Sequence, residues 1–394
     1  MGKNIVVCLD GTSNQFGAEN SNVVKLYSVL KKDSTRQLTY YDPGVGTLGD
    51  RRLVTPLSKK LSRLFGLAFG YGVADNISEA YSYLMENYQE GDNVFLFGFS
   101  RGALTVRALA GMLHACGLLA PGNENMVPYA YQEYLRSGPD QGRMAARYKA
   151  TYSRECKPHF LGVWDTVTSV GWAYRRRTFP FSMNNPDPKV VRHAISIDER
   201  RAYYPQNLFG ESYKEQQDVK QVWFVGVHSD VGGSYPEKDS GLSKLTLEWM
   251  LAQAAEQGLL LDGGKCRRVV QGVGGTEADG GPFASPDCAA KLHPSLHGGW
   301  WILEYLPMNR PLHPFRFSLH RGRRRGMKDG CNIHRSVLDR MASPQIVERF
   351  KEKYQPPNLP QSYGIEEYKT LDCDAIQPDG DARQAVRQAL SVAA

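Results

Sequence analysis

Asn93-Val94-Phe95-Leu96-Phe97-Gly98-Phe99-Ser100-Arg101-Gly102-Ala103-Leu104 joins a continuous apolar run to Gly-x-Ser-x-Gly, and a helix-forming segment rich in small residues follows at once. A buried strand, a sharp turn and a helix are the parts of a nucleophile elbow. Its flanking glycines let the strained backbone at the serine form and let the helix pass close to the strand. The elbow places Ser100 at a helix N-terminus, where backbone N–H groups can receive a developing negative charge. The competing reading is a tight strand-to-helix turn whose serine only caps the helix.

Working outward, the same alternation recurs. Ile5-Val6-Val7-Cys8-Leu9 reads as a buried strand opening into the polar loop Asp10-Gly11-Thr12-Ser13-Asn14. Residues 22–31 form a helix with Val23, Leu26, Tyr27 and Leu30 on one face, and Leu38-Thr39-Tyr40-Tyr41 is a second strand. A helix over 73–88 leads into the elbow strand. Residues 122–156 read as a helical excursion over the sheet. Phe160 to Trp164 and Gln221 to Val227 are two more buried strands, exiting into Asp165-Thr166-Val167 and His228-Ser229-Asp230 respectively. This pattern predicts an α/β fold: a mostly parallel central sheet with helices on both faces and a site at its carboxyl edge.

Two segments stand apart. Residues 57–69 read as an ordinary amphipathic helix, with a membrane-touching flap as the alternative. Residues 262–330, rich in glycine and carrying Trp300-Trp301 and the run Arg321-Gly322-Arg323-Arg324-Arg325, read as a lid or insertion. Its aromatic and cationic residues, like Arg175-Arg176-Arg177 beside Phe179 and Phe181, suit a lipid interface; solvated arginines beside a small satellite core are the alternative. Ser343-Pro344 opens a last helix through Tyr354. The α/β domain is therefore expected over 1–355, with 356–394 a C-terminal extension of coil and one short helix.

The 394 residues are 41% hydrophobic and 23% charged, enough for a large core, which argues against global disorder. A net charge of +7 favours acidic surfaces without choosing among them. Seven scattered cysteines with no C-x-x-C pair suggest neither a disulfide framework nor zinc. That cysteine pattern suits a reducing compartment, so the cytoplasm of the producing cell is the expected location; no signal-peptide pattern and no apolar run of transmembrane length occur. No phosphate-binding or dinucleotide motif and no dense metal motif is present, so no cofactor and no metal are expected. Nucleic-acid binding would rest only on the charge of residues 321–325 and is not expected.

A serine hydroxyl needs a base within hydrogen-bond reach and a carboxylate to orient that base. In chain order Ser, Asp, His, the residues at strand ends are Ser100 as nucleophile, Asp165 as orienting acid and His228 as base. His334, in the loop before the final helix, is the alternative base, and Asp230 the alternative acid. The oxyanion donors expected are the N–H of Arg101 and that of Gly11 or Thr12, with Asp10 bracing the loop.

Leu9-Asp10-Gly11-Thr12 resembles the opening of haloacid-dehalogenase-type phosphatases, but Cys8 stands where their nucleophilic aspartate would be, which argues against that chemistry. The set of Leu9-Asp10-Gly11-Thr12, Gly98-Phe99-Ser100-Arg101-Gly102-Ala103, Gly162-Val163-Trp164-Asp165-Thr166-Val167 and His228-Ser229-Asp230-Val231-Gly232-Gly233 instead resembles an α/β-hydrolase group long labelled a domain of unknown function. That group includes the first family of phospholipase effectors of type VI secretion systems. His334-Arg335-Ser336-Val337 and Asn358-Leu359-Pro360 look like its C-terminal marks. The resemblance implies an esterase or phospholipase A acting on phospholipid acyl esters, with Ser100, Asp165 and His228 at the triad positions. It also implies contact with a membrane surface, an immunity or secretion-apparatus partner, and delivery to a target-cell periplasm. A catalytically idle hydrolase fold used as a protein-binding module is the reading from another class.

Overall fold

The structure, a computed structural model, describes residues 2–11, 17, 19–44, 72–137, 142–167, 171–172, 175–176, 179–210, 215–274, 282–298, 300–305, 308–310 and 313–376. Thr12, Arg177, the segment 57–69 and the terminal helix expected after 376 lie outside the described residues.

Eight strands share one sheet: β1 (Asn4–Leu9), β2 (Gln37–Asp42), β3 (Asn93–Phe99), β4 (Pro158–Trp164), β5 (Val190–Ser196), β6 (Asp218–Phe224), β7 (Cys331–His334) and β8 (Tyr363–Glu366). Their spatial order is β8-β7-β6-β5-β4-β3-β1-β2, and every neighbouring pair runs parallel. From β1 the chain builds outward to β2, then returns and builds the other way from β3. The order therefore reverses between β1 and β3, and the crevice beyond the carboxyl ends of these two strands is where such sheets hold their sites.

Parallel strands bury both faces, and period-two side-chain alternation divides them. Ile5, Val7, Leu9, Val94, Leu96, Leu161 and Val163 enter one core, against α2 (Val73–Asn87), α3 (Arg101–Cys116) and α4 (Val127–Arg136). Val6, Cys8, Phe95, Phe97, Phe99, Phe160 and Trp164 enter the other, against α1 (Asn22–Val29), α7 (Gly241–Ala255) and α8 (Gly263–Val269). Each fully buried side chain of this size contributes roughly 1.5–3 kcal/mol. The excursion over 122–156 is α4 followed by α5 (Gly142–Tyr152), which packs on α3 with it.

Two strand readings need correction. The strand β5 has no clear signal in the sequence, because Arg192 and His193 interrupt its apolar run. Both are buried and satisfied: Arg192 Nε donates to Gln253 Oε1 at 2.5 Å and its Nη2 meets Asp218 Oδ2 at 2.6 Å, while His193 Nδ1 faces Gln221 Oε1 at 3.3 Å. Polar side chains paired inside the sheet cost far less than unpaired ones, so the strand survives. The other correction concerns residues read as coil: 363–366 form β8, the edge strand beside β7, and Lys220 from β6 ties it down through Glu366 at 2.9 Å.

The segment 262–330 divides by position. Its first part is α8, capped by Asp262 and packed under α1. Its later part carries the short α9 (Trp300–Glu304), a two-stranded ribbon of Met308–Arg310 with His313–Ser318, and the strap of residues 319–326 beside the site. The final helices are α10 (Arg335–Ala342) and α11 (Pro344–Phe350); α11 ends a turn sooner than the sequence pattern suggests, at left-handed Lys351.

Candidate active site

The elbow forms at the end of β3. Ser100 has φ 59° and ψ −118°, a strained conformation for a residue with a Cβ, and serves as N-cap of α3 without a side-chain capping bond. Its Oγ is therefore left for other partners. The close packing explains the glycines. A Cβ on Gly98 would stand 2.5 Å from the Gly102 carbonyl oxygen, and one on Gly102 would stand 2.6 Å from that of Asp10. Strand β3, helix α3 and the β1 loop meet backbone to backbone.

Asp165 leaves β4 with φ 39°, and its N–H is held by the Ala194 carbonyl at 2.7 Å. His228 leaves β6 and opens the short α6 (His228–Gly232). His228 Nε2 lies 2.8 Å from Ser100 Oγ, and its Nδ1 lies 2.5 Å from Asp165 Oδ2. The aspartate is buried beneath the histidine, while Ser100 remains half-exposed above it. Three residues separated by 65 and 63 positions along the chain thus form one continuous hydrogen-bonded line.

The electrostatics set the direction of the protons. Burial opposes charge on Asp165, but Arg325 and His228 outweigh it and hold the carboxyl well below the usual carboxylate range. As an ionised acceptor, Asp165 requires His228 Nδ1 to carry the proton. Burial lowers the pKa of His228, with Asp165 pulling the other way, so the imidazole is neutral at pH 7. Its Nε2 is then a free acceptor facing the serine hydroxyl.

The rival residues are elsewhere. His334 is buried, stacks on Phe224 at 4.5 Å, and turns Nδ1 to Ser336 Oγ at 2.8 Å, capping α10. Asp230 caps α6 by accepting the Val227 N–H at 3.1 Å, and its other oxygen meets His293 Nδ1 at 2.7 Å. Neither addresses the His228 ring.

The N–H of Arg101 begins α3 directly after the serine. Gly11 is otherwise engaged: its N–H donates to Asp10 Oδ1 at 2.6 Å. Asp10 braces this loop as expected, its Oδ2 accepting from Ser21 Oγ at 2.5 Å and Tyr41 OH at 3.2 Å. Of the two loop positions considered for the second oxyanion donor, Thr12 lies outside the described residues.

Several further residues surround this line. Ser196, at the end of β5, donates to Asp165 Oδ1 through both N–H (2.9 Å) and Oγ (3.1 Å). Glu199 Oε2 accepts the His228 N–H at 3.1 Å and pairs with Arg201 at 2.7 Å. Tyr204 and Phe99 each place a ring 4.7 Å from the imidazole, and Arg201 lies over Tyr204 (3.9 Å) and Trp300 (4.9 Å). Arg325 reaches Asp165 from the strap. In the sequence Trp300 and Arg325 carry only the signal of an aromatic and cationic insertion, and the β5 strand end is hidden by Arg192 and His193. Among the described residues no group of three or more His, Cys, Asp or Glu side chains could hold a metal ion.

An all-parallel, helix-covered sheet with a strained serine at the switch point defines an α/β-hydrolase-like protein. Residues 3–253 match the family model described as "T6SS, Phospholipase effector Tle1-like, catalytic domain", and the chain belongs to this family. "Uncharacterized protein YEL023C" of Saccharomyces cerevisiae (strain ATCC 204508 / S288c) is 39% identical over 224 residues, covering 53% of this chain and 33% of the yeast protein. Among solved structures, an uncharacterized protein from Pseudomonas aeruginosa aligns with TM-score 0.39 and 20% identity, over 66% of this chain and 46% of its own. The Tle1 effector bound to the VgrG spike from the Type 6 secretion system aligns with TM-score 0.37 and 21% identity, over 61% of this chain and 52% of its own. The chain thus spans about a third of the curated relative and about half of these two structures.

Proposed function

We propose that this chain is a serine esterase that cleaves acyl esters of phospholipids, a phospholipase of the A type, with Ser100, His228 and Asp165 as its catalytic triad. The observation that carries the reading is the unbroken line from Ser100 Oγ through the His228 ring to Asp165 Oδ2, at 2.8 and 2.5 Å. The phospholipid substrate rests on the family, whose description names phospholipase effectors.

In this mechanism His228 Nε2 takes the Ser100 proton as Oγ attacks the acyl carbonyl. Asp165 receives the Nδ1 proton in a hydrogen bond and stabilises the imidazolium without becoming protonated itself. The tetrahedral oxyanion is met by the Arg101 N–H at the start of α3, with the second donor from the loop after β1. His228 then gives its proton to the departing lysophospholipid alcohol. A water, activated by the same nitrogen, hydrolyses the acyl-enzyme and restores Ser100. The strained backbone at Ser100 keeps the nucleophile projecting from the turn rather than capping the helix.

Membership of an effector family supports export by a type VI secretion system to a target-cell periplasm, with an immunity protein or a part of the secretion apparatus as protein partner.

Acyl release from defined phospholipids and from short soluble esters, run beside fluorophosphonate labelling, tests the chemistry. Wild-type protein should be labelled once and release fatty acid, and Ser100→Ala and His228→Ala should do neither. Unlabelled, inactive wild type under conditions that label other serine hydrolases would overturn the proposal and favour a binding role for the fold.

A further inference from the structure

The basic run at 321–325 suggested a solvated or lipid-facing patch, yet its last member turns inward. Arg325 is 6% exposed and its guanidinium spans both oxygens of Asp165, Nη1 to Oδ1 at 2.5 Å and Nη2 to Oδ2 at 3.1 Å. The fork is itself anchored on every side. Nη1 also reaches Ser196 Oγ at 2.7 Å, and Nε and Nη2 both donate to the Tyr204 carbonyl at 3.1 and 2.6 Å. The Arg325 carbonyl accepts from Asn358 Nδ2 at 3.1 Å, and Asn358 bonds the Ile197 carbonyl at the same distance, which fixes the strap to the end of β5. Next to it, Arg324 Nη1 meets Asp198 Oδ1 at 3.0 Å.

We propose that Arg325 is a positioning residue of the triad: its guanidinium locks the Asp165 carboxylate in line with His228 Nδ1 and offsets part of the negative charge that the imidazole faces. This rests on the esterase reading above. It also goes beyond the family match, because Arg325 lies outside the matched residues 3–253.

The physical case has two parts. A carboxylate held only by one histidine and one serine could rotate about its own bond, whereas a bidentate arginine fixes its plane. A cation on the far side of that carboxylate also weakens its pull on the imidazolium, so the base stays neutral to lower pH. The other groups around His228 and Asp165 are Glu199 and Arg201, which pair with each other, the Tyr204 phenol, Arg101 after the nucleophile, neutral His193 behind Thr166, and Asp230 on α6 itself. Among the described residues, Arg325 is the cation that bonds the triad carboxylate through both oxygens. Trp300 of α9 packs on Tyr204 at 5.6 Å, so the strap and the roof of the site share one support.

Arg325→Met, Arg325→Lys and wild type should be compared for kcat and KM on a soluble short-chain ester across pH 5 to 9, with active sites counted by fluorophosphonate labelling. For Arg325→Met the acid limb of kcat/KM should move up by about one pH unit. Its kcat per labelled site should fall about 10- to 100-fold with KM nearly unchanged. For Arg325→Lys the limb should return toward wild type, because the charge is restored, while kcat stays low, because one ammonium cannot span both oxygens. A purely structural arginine would lower the fraction of labelled protein but leave the limb and the per-site kcat at wild-type values; that result overturns the inference. If Arg325→Met does not fold, Arg325→Lys decides alone: full kcat per site overturns the inference, and reduced kcat with an unmoved limb supports it. Wild type that is neither labelled nor active would sink the esterase reading itself, an outcome distinct from active wild type with indifferent Arg325 variants.

Discussion

The backbone of Gly102 approaches the carbonyl of Leu9 so closely that a Cβ on Gly102 would stand 2.1 Å from that oxygen. Neither partner is a flexible side chain that could move aside: one is the first turn of α3, the other the end of β1. Gly102→Ala should therefore lower stability by about 3 kcal/mol, the range of a forced core overlap, measured by urea denaturation. Gly91→Ala is the control. Its Cβ would meet nothing within 4 Å, so only its φ of +91° matters, and the loss should be about 1 kcal/mol. Equal losses for the two would show that contact with the β1 loop is not what Gly102 provides.

The strain at Ser100 should be measurable against itself. Ser100→Ala and Ser100→Gly both remove the 2.8 Å hydrogen bond to His228, but only glycine relaxes at φ 59°. Both variants should lose ester hydrolysis by at least about 1000-fold. Ser100→Gly should melt higher than Ser100→Ala by an amount equivalent to about 1 kcal/mol. Identical melting temperatures would mean the turn stores no strain at Ser100.

His334 was the rival base, and its surroundings give it a different signature. Burial holds its pKa down at about 4 in the folded chain, against an ordinary value near 6.5. Protons therefore prefer the unfolded chain, and stability present above pH 6.5 should be lost as pH falls toward 4. His193, held down to about 3 by burial, acts in the same direction and extends the loss to lower pH. His334→Gln should leave ester hydrolysis within about twofold of wild type, since surface and structural positions act through stability alone. It should also flatten the decline of stability between pH 6.5 and 4. Loss of activity with an unchanged stability profile would return the base assignment to His334.

How much of this was visible in the sequence depends on how local each signal is. The elbow, β1, β4 and β6 announce themselves as apolar runs ending in polar turns, and Ser100, Asp165 and His228 stand at three of those ends. In the sequence pattern His228 leaves the strand next after that of Asp165; in the fold β5 intervenes, concealed because its polar residues find partners on β6 and α7 that no local pattern reveals. The same limit hid Arg325. Arginines at 321, 323, 324 and 325 look alike in sequence, and only the fold brings the last to a carboxylate 160 residues away. Strand β8 is short and half-exposed, with one apolar aliphatic residue, Ile365, itself facing outward. Its place is set by pairing with β7 rather than by its own composition.

Glu199 carries the last prediction, because it joins the site's backbone to its wall. Its carboxylate accepts the His228 N–H at 3.1 Å and holds Arg201 at 2.7 Å, and Arg201 in turn lies over the rings of Tyr204 and Trp300. Burial works against its charge, yet Arg201 draws its pKa down to about 2. By linkage, a carboxyl depressed in the folded state adds stability above the ordinary value near 4.5 that is lost as pH falls toward 2. Glu199→Gln keeps an oxygen to accept the His228 N–H but leaves the buried Arg201 guanidinium without its counter-charge. Removing one partner of a buried pair typically costs about 3–5 kcal/mol, and denaturation at pH 7 should show a loss of that order. The charge near the His228 ring changes as well. Losing an anion that favours the imidazolium should move the acid limb of kcat/KM to lower pH, opposite in sign to the shift expected for Arg325→Met. Limbs that shift in the same direction for the two variants would show that general loosening of the site, rather than the charges facing His228, sets its pH dependence.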